Sequence, residues 1–143
     1  MVGKKEERVV KHPIIREHYV QVKIEQQEVV DLSDTGAICT QISIDTAQRL
    51  NQKVEPLSVG DFKMFVAEDG HRMKALGKAQ MVIEIGGIQT IQQLSIVEKL
   101  DNTLIIGCDW MKQHRVVIDY GNQMISLTED NVEVPFTFCP KSA

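Results

Sequence analysis

The sequence lacks any apolar run that approaches the roughly 18 residues needed to span a membrane. It also lacks a basic excess, since its net charge is -4 over 143 residues, and nucleic-acid binding usually leaves a basic footprint. Residues 1–16 are charged throughout and contain no apolar stretch of the secretory kind. We therefore expect a chain that binds neither nucleic acid nor membrane. A transported precursor that has lost its signal stays open, and the cysteines described next are the reason to expect a cytoplasmic location.

Cysteine and histidine are also scarce, which argues against a disulfide framework and a metal centre. The three cysteines, Cys39, Cys108 and Cys139, are an odd number at irregular spacing, which is typical of a reducing compartment. None of the four histidines lies at a metal-ligand spacing from a cysteine. We expect no metal and no cofactor.

The pattern along the chain predicts many short strands. Apolar residues alternate with polar ones from Tyr19, with Val20, Val22 and Ile24 on one face. A second apolar run, residues 29–30, leads towards Asp34. Further strand-like runs are residues 62–67, 79–85, 88–97, 104–106, 116–119 and 124–127.

Turn signals separate several of these runs, at Gly86-Gly87, Asp69-Gly70 and Gly121-Asn122. Residues 43–50, capped by Ser43, and residues 108–114 are expected to form short helices. The sequence therefore predicts a mostly β, closed-barrel domain with one or two short helices. We divide the chain into an extended or flexible arm (1–18), the domain (19–138) and a tail (139–143).

The tripeptide Asp34-Thr35-Gly36 follows an apolar strand and precedes a second apolar stretch, Ala37-Ile38-Cys39. Alone, such a tripeptide is most simply a turn, in which Asp bonds to nearby amides. An acidic residue within an apolar frame is costly unless it is hydrogen-bonded or functional. A second motif further along, Leu104-Ile105-Ile106-Gly107, is a strand that stops abruptly before a helix.

Together the two motifs resemble the signature elements of retropepsins. The resemblance covers roughly residues 19–128. Two segments within it resemble one particular group of retropepsins. The segment 106–111, with His114 and residues 117–120, looks like the proteases of gypsy-type LTR retrotransposons, and residues 66–70 followed by Gly77 are similar to their flap hairpin.

The resemblance implies an aspartic endopeptidase that is active as a homodimer, with Asp34 of each chain as the catalytic carboxylate. Thr35, Gly36 and Ala37 would support the active-site loop. The substrate would be an extended peptide or polyprotein of a retrotransposon or retroviral-like element, with virus-like particles as a further setting. Flap and pocket residues would be Ile38, Val66, Ala67, Asp69, Gly70 and Ile105, with Ile42 a further candidate wall; core packing is the competing interpretation of the apolar ones.

Two positions depart from the family pattern, Asp31 and Ser33, where an apolar residue or a small one is usual. Because of these two residues, a second hypothesis remains: an inactive, domesticated module that only dimerises or binds peptides. A retropepsin domain of the DNA-damage-inducible, ubiquitin-linked kind is a third possibility.

The second motif also carries three residues with expected structural roles. We expect Asp109 to cap the second helix and not to act in catalysis. Trp110 is expected in core or interface packing. His114 is expected at the end of that helix, where it would complement the dipole.

Overall fold

Ten strands and two short helices make up the part of the chain that the computed structural model describes, which is residues 17–34, 37–66, 70–100 and 103–138. The strands are β1 (Glu17–Ile24), β2 (Gln27–Asp34), β3 (Gln41–Ser43), β4 (Met64–Val66), β5 (Arg72–Ile85), β6 (Ile88–Val97), β7 (Leu104–Ile106), β8 (Val116–Asp119), β9 (Met124–Leu127) and β10 (Val132–Pro135). The helices are α1 (Ile44–Arg49) and α2 (Cys108–Gln113). Neither helix is long and apolar enough to cross a membrane.

Seven strands form one sheet in the order β1-β2-β7-β3-β6-β5-β4. β1 also pairs with β5, through Lys23 with Glu84 and Ile24 with Ile83. This second pairing closes the sheet on itself, and β4 remains outside the ring as the partner of β5 alone. The predicted mostly β, closed-barrel fold is confirmed.

A single large apolar cluster fills the barrel and extends to the second sheet, β10-β9-β8. The alternation in β1 works as predicted, since Val20, Val22 and Ile24 are each at most 4% exposed. Trp110 of α2 is buried in the same cluster, which confirms its expected core role. Ile42 was a candidate pocket wall, and that prediction is wrong because its side chain is fully buried in the core.

Local signals set the helix and hairpin positions. The Ser43 side chain accepts a hydrogen bond from the Thr46 amide at the start of α1, as a helix cap should. Gly86 and Gly87 turn β5 into β6 with φ of +61° and +82°, a backbone region that glycine adopts without strain. The expected hairpin and both expected short helices are confirmed.

Two stretches of strand were not apparent from the sequence. β5 begins at Arg72, well before the predicted 79, because residues 72–74 pair with β4 and a register shift lies between Ala75 and Gly77. β10 was not predicted at all; it ends at Pro135, a residue unusual within strands, and pairs only with β9. β1 begins at Glu17, and Tyr19 pairs with Thr137.

The burial of the core predicts that two isoleucines on neighbouring strands contribute very differently to the free energy of unfolding. Ile83 is fully buried, whereas Ile91 is 68% exposed. Ile83→Ala should lower the free energy of unfolding by about 2–4 kcal/mol because it leaves a cavity. The matched control Ile91→Ala should change it by less than about 0.5 kcal/mol. Denaturant unfolding measures both, and equal losses would contradict the assigned burial.

Candidate active site

The strand that carries the tripeptide ends beside β7. β2 runs parallel to β7, with Leu32 opposite Ile105 and Ser33 opposite Ile106. On the other side of β7 lies β3, antiparallel to it. The chain that leaves β2 at Asp34 must therefore cross the end of β7 to enter β3, and residues 37–40 complete that crossing.

The crossing takes place over Gly107, the residue that follows β7. A Cβ at this position would lie 2.4 Å from the Cys39 carbonyl carbon and 2.5 Å from its oxygen. No side chain fits at such distances, so glycine is required here for close approach of two backbones. Two hydrogen bonds fix the contact: the Cys108 amide donates to the Ala37 carbonyl at 2.8 Å, and the Asp109 amide donates to the Ile38 carbonyl at 3.1 Å.

The Asp109 carboxylate holds the same crossing from its other side. It accepts from the Thr40 amide at 3.1 Å and from the Thr40 hydroxyl at 2.8 Å. It also accepts from the Gln92 amide group of β6 at 3.1 Å and from the Trp110 amide at 2.7 Å. The prediction that Asp109 caps α2 is correct only in part: the N-cap residue is Gly107, but the Asp109 carboxylate accepts from the Trp110 amide in the first turn. Asp109 also joins three segments of chain.

A cleft of about 690 Å³ runs along the crossing. Its lining includes Ala37, Ile38 and Cys39 of the crossing and the start of α2. The loop before β4, together with β5 and β6, provides the other lining residues, Leu57, Gly60, Asp61, Phe62, Lys78, Gln92, Gln93 and Ser95. The cleft therefore begins within a few residues of the tripeptide and is wide enough to be open to solvent.

The predicted site residues fall in different parts of this arrangement. Asp34 is the last residue of β2, whereas Thr35 and Gly36 lie outside the described residues. Ala37 is half-buried in the crossing, and Ile38 beside it is 60% exposed. Ile105 is half-buried in the middle of β7 and does not line the cleft.

The remaining predicted site residues belong to the hairpin of β4 and β5. Val66 is the last residue of β4 and pairs with Arg72, and Gly70 has a φ of +84°. Ala67 and Asp69 lie outside the described residues. An antiparallel hairpin is therefore present where the flap was expected, with its two strands in register from Met64 opposite Lys74.

The charged groups of the cleft are largely engaged. A hydrogen bond from Lys78 and one from the Ser58 amide hold the pKa of Asp61 below its usual value. Burial raises the pKa of the Cys39 thiol, which lies 3.5 Å from the Ser95 hydroxyl. Cys39 is thus held as a neutral, largely apolar part of the wall.

The other residues of the second motif serve structure. His114 follows α2, as expected, where its Nδ1 lies 3.0 Å from Asp130 and its ring lies against Trp110 with centroids 4.4 Å apart. Throughout the described ranges, no three His, Cys, Asp or Glu side chains come close enough to hold a metal ion.

Sequence reasoning missed Thr40 and Gln92, the two side chains that bind Asp109. Both are nearly fully buried, and buried polar side chains require partners. Thr40 directly follows the apolar stretch Ala37-Ile38-Cys39, with Ile42 two residues on, and this is the signal that could have marked it. Gln92 had no such signal, because alternating polar residues in a strand usually face solvent.

Comparison with known proteins agrees with this geometry. A family model described as Aspartyl protease matches residues 11–119, and the chain belongs to this family. No curated protein matches the sequence closely enough to count as a relative.

Three solved structures show the retropepsin-like fold. The retroviral protease-like domain of Ddi1 from Leishmania major is similar with a TM-score of 0.64 and 23% identity, over 88% of this chain and 94% of that one. EIAV protease has a TM-score of 0.55 and 15% identity, over 73% and 93%. A retropepsin-like aspartic protease from Rickettsia conorii has a TM-score of 0.53 and 15% identity, over 84% and 82%.

The close approach at Gly107 predicts that even one methyl group there is harmful. Gly107→Ala should lower the free energy of unfolding by about 1–3 kcal/mol, because backbone and not a flexible side chain occupies the space. Gly121→Ala is the control, since its Cβ would meet nothing nearer than Asp119 at 3.6 Å. It should change stability by less than about 1 kcal/mol. Equal unfolding midpoints for the two variants would show that the crossing is not tightly packed.

Proposed function

We propose that the chain is an aspartic endopeptidase whose catalytic group is a pair of Asp34 carboxylates, one from each of two identical chains. The observation that carries the proposal is the family match, which spans Asp34 and the second motif together. The fold adds support, because β2 ends at Asp34 beside the crossing over Gly107. Such a loop is held by backbone contacts and does not depend on a substrate for its shape.

The homodimer follows from the number of carboxylates. The sequence contains a single Asp-Thr-Gly, whereas an aspartic protease activates water with two carboxyl groups that share a proton. A twofold axis brings the same residue of each chain together. Two carboxylates at such a distance cannot both ionise easily, so their titration belongs to the pair.

The proposed reaction needs no covalent intermediate. The ionised Asp34 takes a proton from a water molecule as its oxygen attacks the peptide carbonyl carbon, and the protonated Asp34 gives its proton to the carbonyl oxygen. The tetrahedral gem-diol then collapses: one carboxyl of the pair protonates the amide nitrogen, the C–N bond breaks, and the other carboxylate takes a proton from a gem-diol hydroxyl. An amine and a carboxylic acid leave, and the pair again holds one proton. In this proposal Thr35 bonds across the axis, while Gly36 and Ala37 leave room for the substrate backbone.

An extended peptide is the proposed substrate. The hairpin of β4 and β5 would act as the flap that closes over it and excludes water, with Val66, Ala67, Asp69 and Gly70 at its end. Ile38 is suited to contact substrate because 60% of its surface is exposed at the cleft. Extended binding satisfies backbone groups by strand addition, while pockets select alternate side chains.

The biological source of the domain is also a proposal. The segment 106–111 with His114 supports a gypsy-type retrotransposon protease that processes its polyprotein inside cells, and the free thiol of Cys39 fits that setting. The alternative source is a retropepsin domain of the DNA-damage-inducible kind. The Ddi1 domain is similar in fold, but 23% identity does not decide between the two sources. The alternative function from outside the enzymes is an inactive, domesticated module that only dimerises or binds peptides.

Substitution of the proposed catalytic residue tests the enzyme class. Asp34→Asn should lower kcat on an extended apolar peptide at mildly acidic pH by at least about a thousandfold, because the dyad loses its proton acceptor. A statine-type inhibitor should block the wild-type chain. Asp45→Asn is the matched control, since Asp45 is exposed in the first turn of α1, and it should cleave like the wild type. A folded dimer that cleaves nothing at any pH would instead favour the inactive module.

Dilution tests the shared site. Activity per chain should fall as the chain is diluted through its dissociation range, because half of a dyad is inert. Specific activity is measured against concentration, and sedimentation gives the oligomeric state in the same buffer. Constant specific activity while the dimer dissociates would contradict a site built from two chains.

A further inference from the structure

One wall of the cleft comes from a loop with little regular structure of its own. Residues 56–63, between α1 and β4, belong to no strand or helix, yet Leu57, Asp61 and Phe62 line the cleft. Phe62 is 50% exposed and faces the same space as Ile38. Loops with few backbone hydrogen bonds open easily, so the position of this wall depends on what holds it.

Side chains of Lys78, Ser58 and Asp61 hold the loop. The Lys78 ammonium donates to the Ser58 hydroxyl at 2.8 Å and to the Asp61 carboxylate at 2.9 Å. The Ser58 amide donates to the same carboxylate oxygen at 2.6 Å, and the Asp61 amide returns a bond to the Ser58 carbonyl at 3.1 Å. The loop is thus closed on itself and tied to β5 by the Lys78 ammonium at Ser58 and Asp61, and at its end by the Ala75 amide, which donates to the Lys63 carbonyl at 3.0 Å.

Lys78 is itself fixed in place. Its backbone exchanges two hydrogen bonds with Glu55, at 2.7 and 2.9 Å. Gly77 beside it packs so closely that a Cβ would lie 2.4 Å from Val54 and 2.6 Å from the Glu55 carbonyl oxygen. Because close packing and backbone bonds hold β5 at this point, loss of the ammonium group would free residues 58–61 of the loop and leave the strand unchanged.

The pair is also shielded more than a typical surface ion pair. The Lys78 and Asp61 side chains are 18% and 21% exposed, whereas Lys23 and Glu84, at 3.9 Å, are 46% and 24% exposed. Exposed pairs contribute little, and partial shielding together with the two donors that converge on the Asp61 carboxylate strengthens this one.

We propose that Lys78 and Asp61 are positioning residues that fix the wall formed by Leu57 and Phe62, and that peptide affinity depends on them. This inference rests on the proposed function for its substrate, an extended peptide. The network touches the loop and not the crossing that follows Asp34, so its loss acts on binding and leaves the chemical step intact. Neither residue acts on the reacting atoms.

Lys78→Met is the test, because it keeps the length of the side chain and removes the charge. KM for peptide cleavage should rise about three- to tenfold, while kcat stays within about twofold, as expected when a binding wall loses order. Lys78→Arg should restore most of the loss. Lys53→Met is the control outside both the cleft and the flap hairpin, since Lys53 is exposed, does not line the cleft and forms no ion pair with any residue in the described ranges, and its KM should not change.

Asp61→Asn provides a second variant in case Lys78→Met folds poorly. It keeps the shape of the side chain and removes the charge, and its KM should rise in the same direction. Amide exchange of Ser58 and Asp61 should become faster in both variants, with exchange in the β5–β6 hairpin unchanged. A parallel fall of kcat and thermal stability with unchanged KM would overturn the proposal, because it would indicate a merely structural role.

Binding of a statine-type peptide separates this proposal from the proposed function. If the wild-type chain binds that peptide and Lys78→Met weakens the binding, the positioning role stands even where no cleavage occurs, and only the enzymatic function fails. If cleavage occurs but KM, peptide affinity and Ser58 exchange are all unaffected by both variants, the positioning role is wrong and the protease remains.

Discussion

The crossing of residues 37–40 over Gly107 is the constraint on which the rest of the site depends. β7 lies between β2 and β3, so the chain that leaves Asp34 can reach β3 only across the end of β7. The crossing is possible because Gly107 has no side chain, and it is held by two backbone hydrogen bonds. A loop held by backbone hydrogen bonds keeps its geometry without a ligand. The proposed catalysis would require such a preorganised loop.

Asp109 shows how the fold stabilises that crossing. Its carboxylate accepts four hydrogen bonds from Thr40, Gln92 and Trp110. Asp109 is partly buried; a carboxylate in such a place would be unfavourable without partners, whereas one that accepts four hydrogen bonds orders the groups around it. The same residue thus links the crossing, β6 and α2, and the apolar cluster beneath them supplies most of the stability.

Local patterns predicted the parts of the fold that local physics determines. Alternation gave β1, paired glycines gave the β5–β6 hairpin, and Ser43 gave the start of α1. Contacts between distant residues were not predictable in this way: the bonds from Thr40 and Gln92 to Asp109 join residues far apart in the chain. For this reason Asp109 was expected only to cap the helix, and its links to the crossing and β6 were not foreseen. Ile42 was taken for a pocket wall because the sequence alone does not distinguish a pocket residue from a core residue. Asp34 was recognised from a motif, and its role remains a proposal.

The central claim is that one active site is built from the Asp34 residues of two chains. Mixing wild-type chain with Asp34→Asn chain, and allowing the subunits to exchange, tests it most directly. With a fixed total concentration and random pairing, activity should fall as the square of the wild-type fraction, because a mixed dimer has only one carboxylate. Activity proportional to the wild-type fraction itself would show that each chain carries a complete site, and the account would then be wrong.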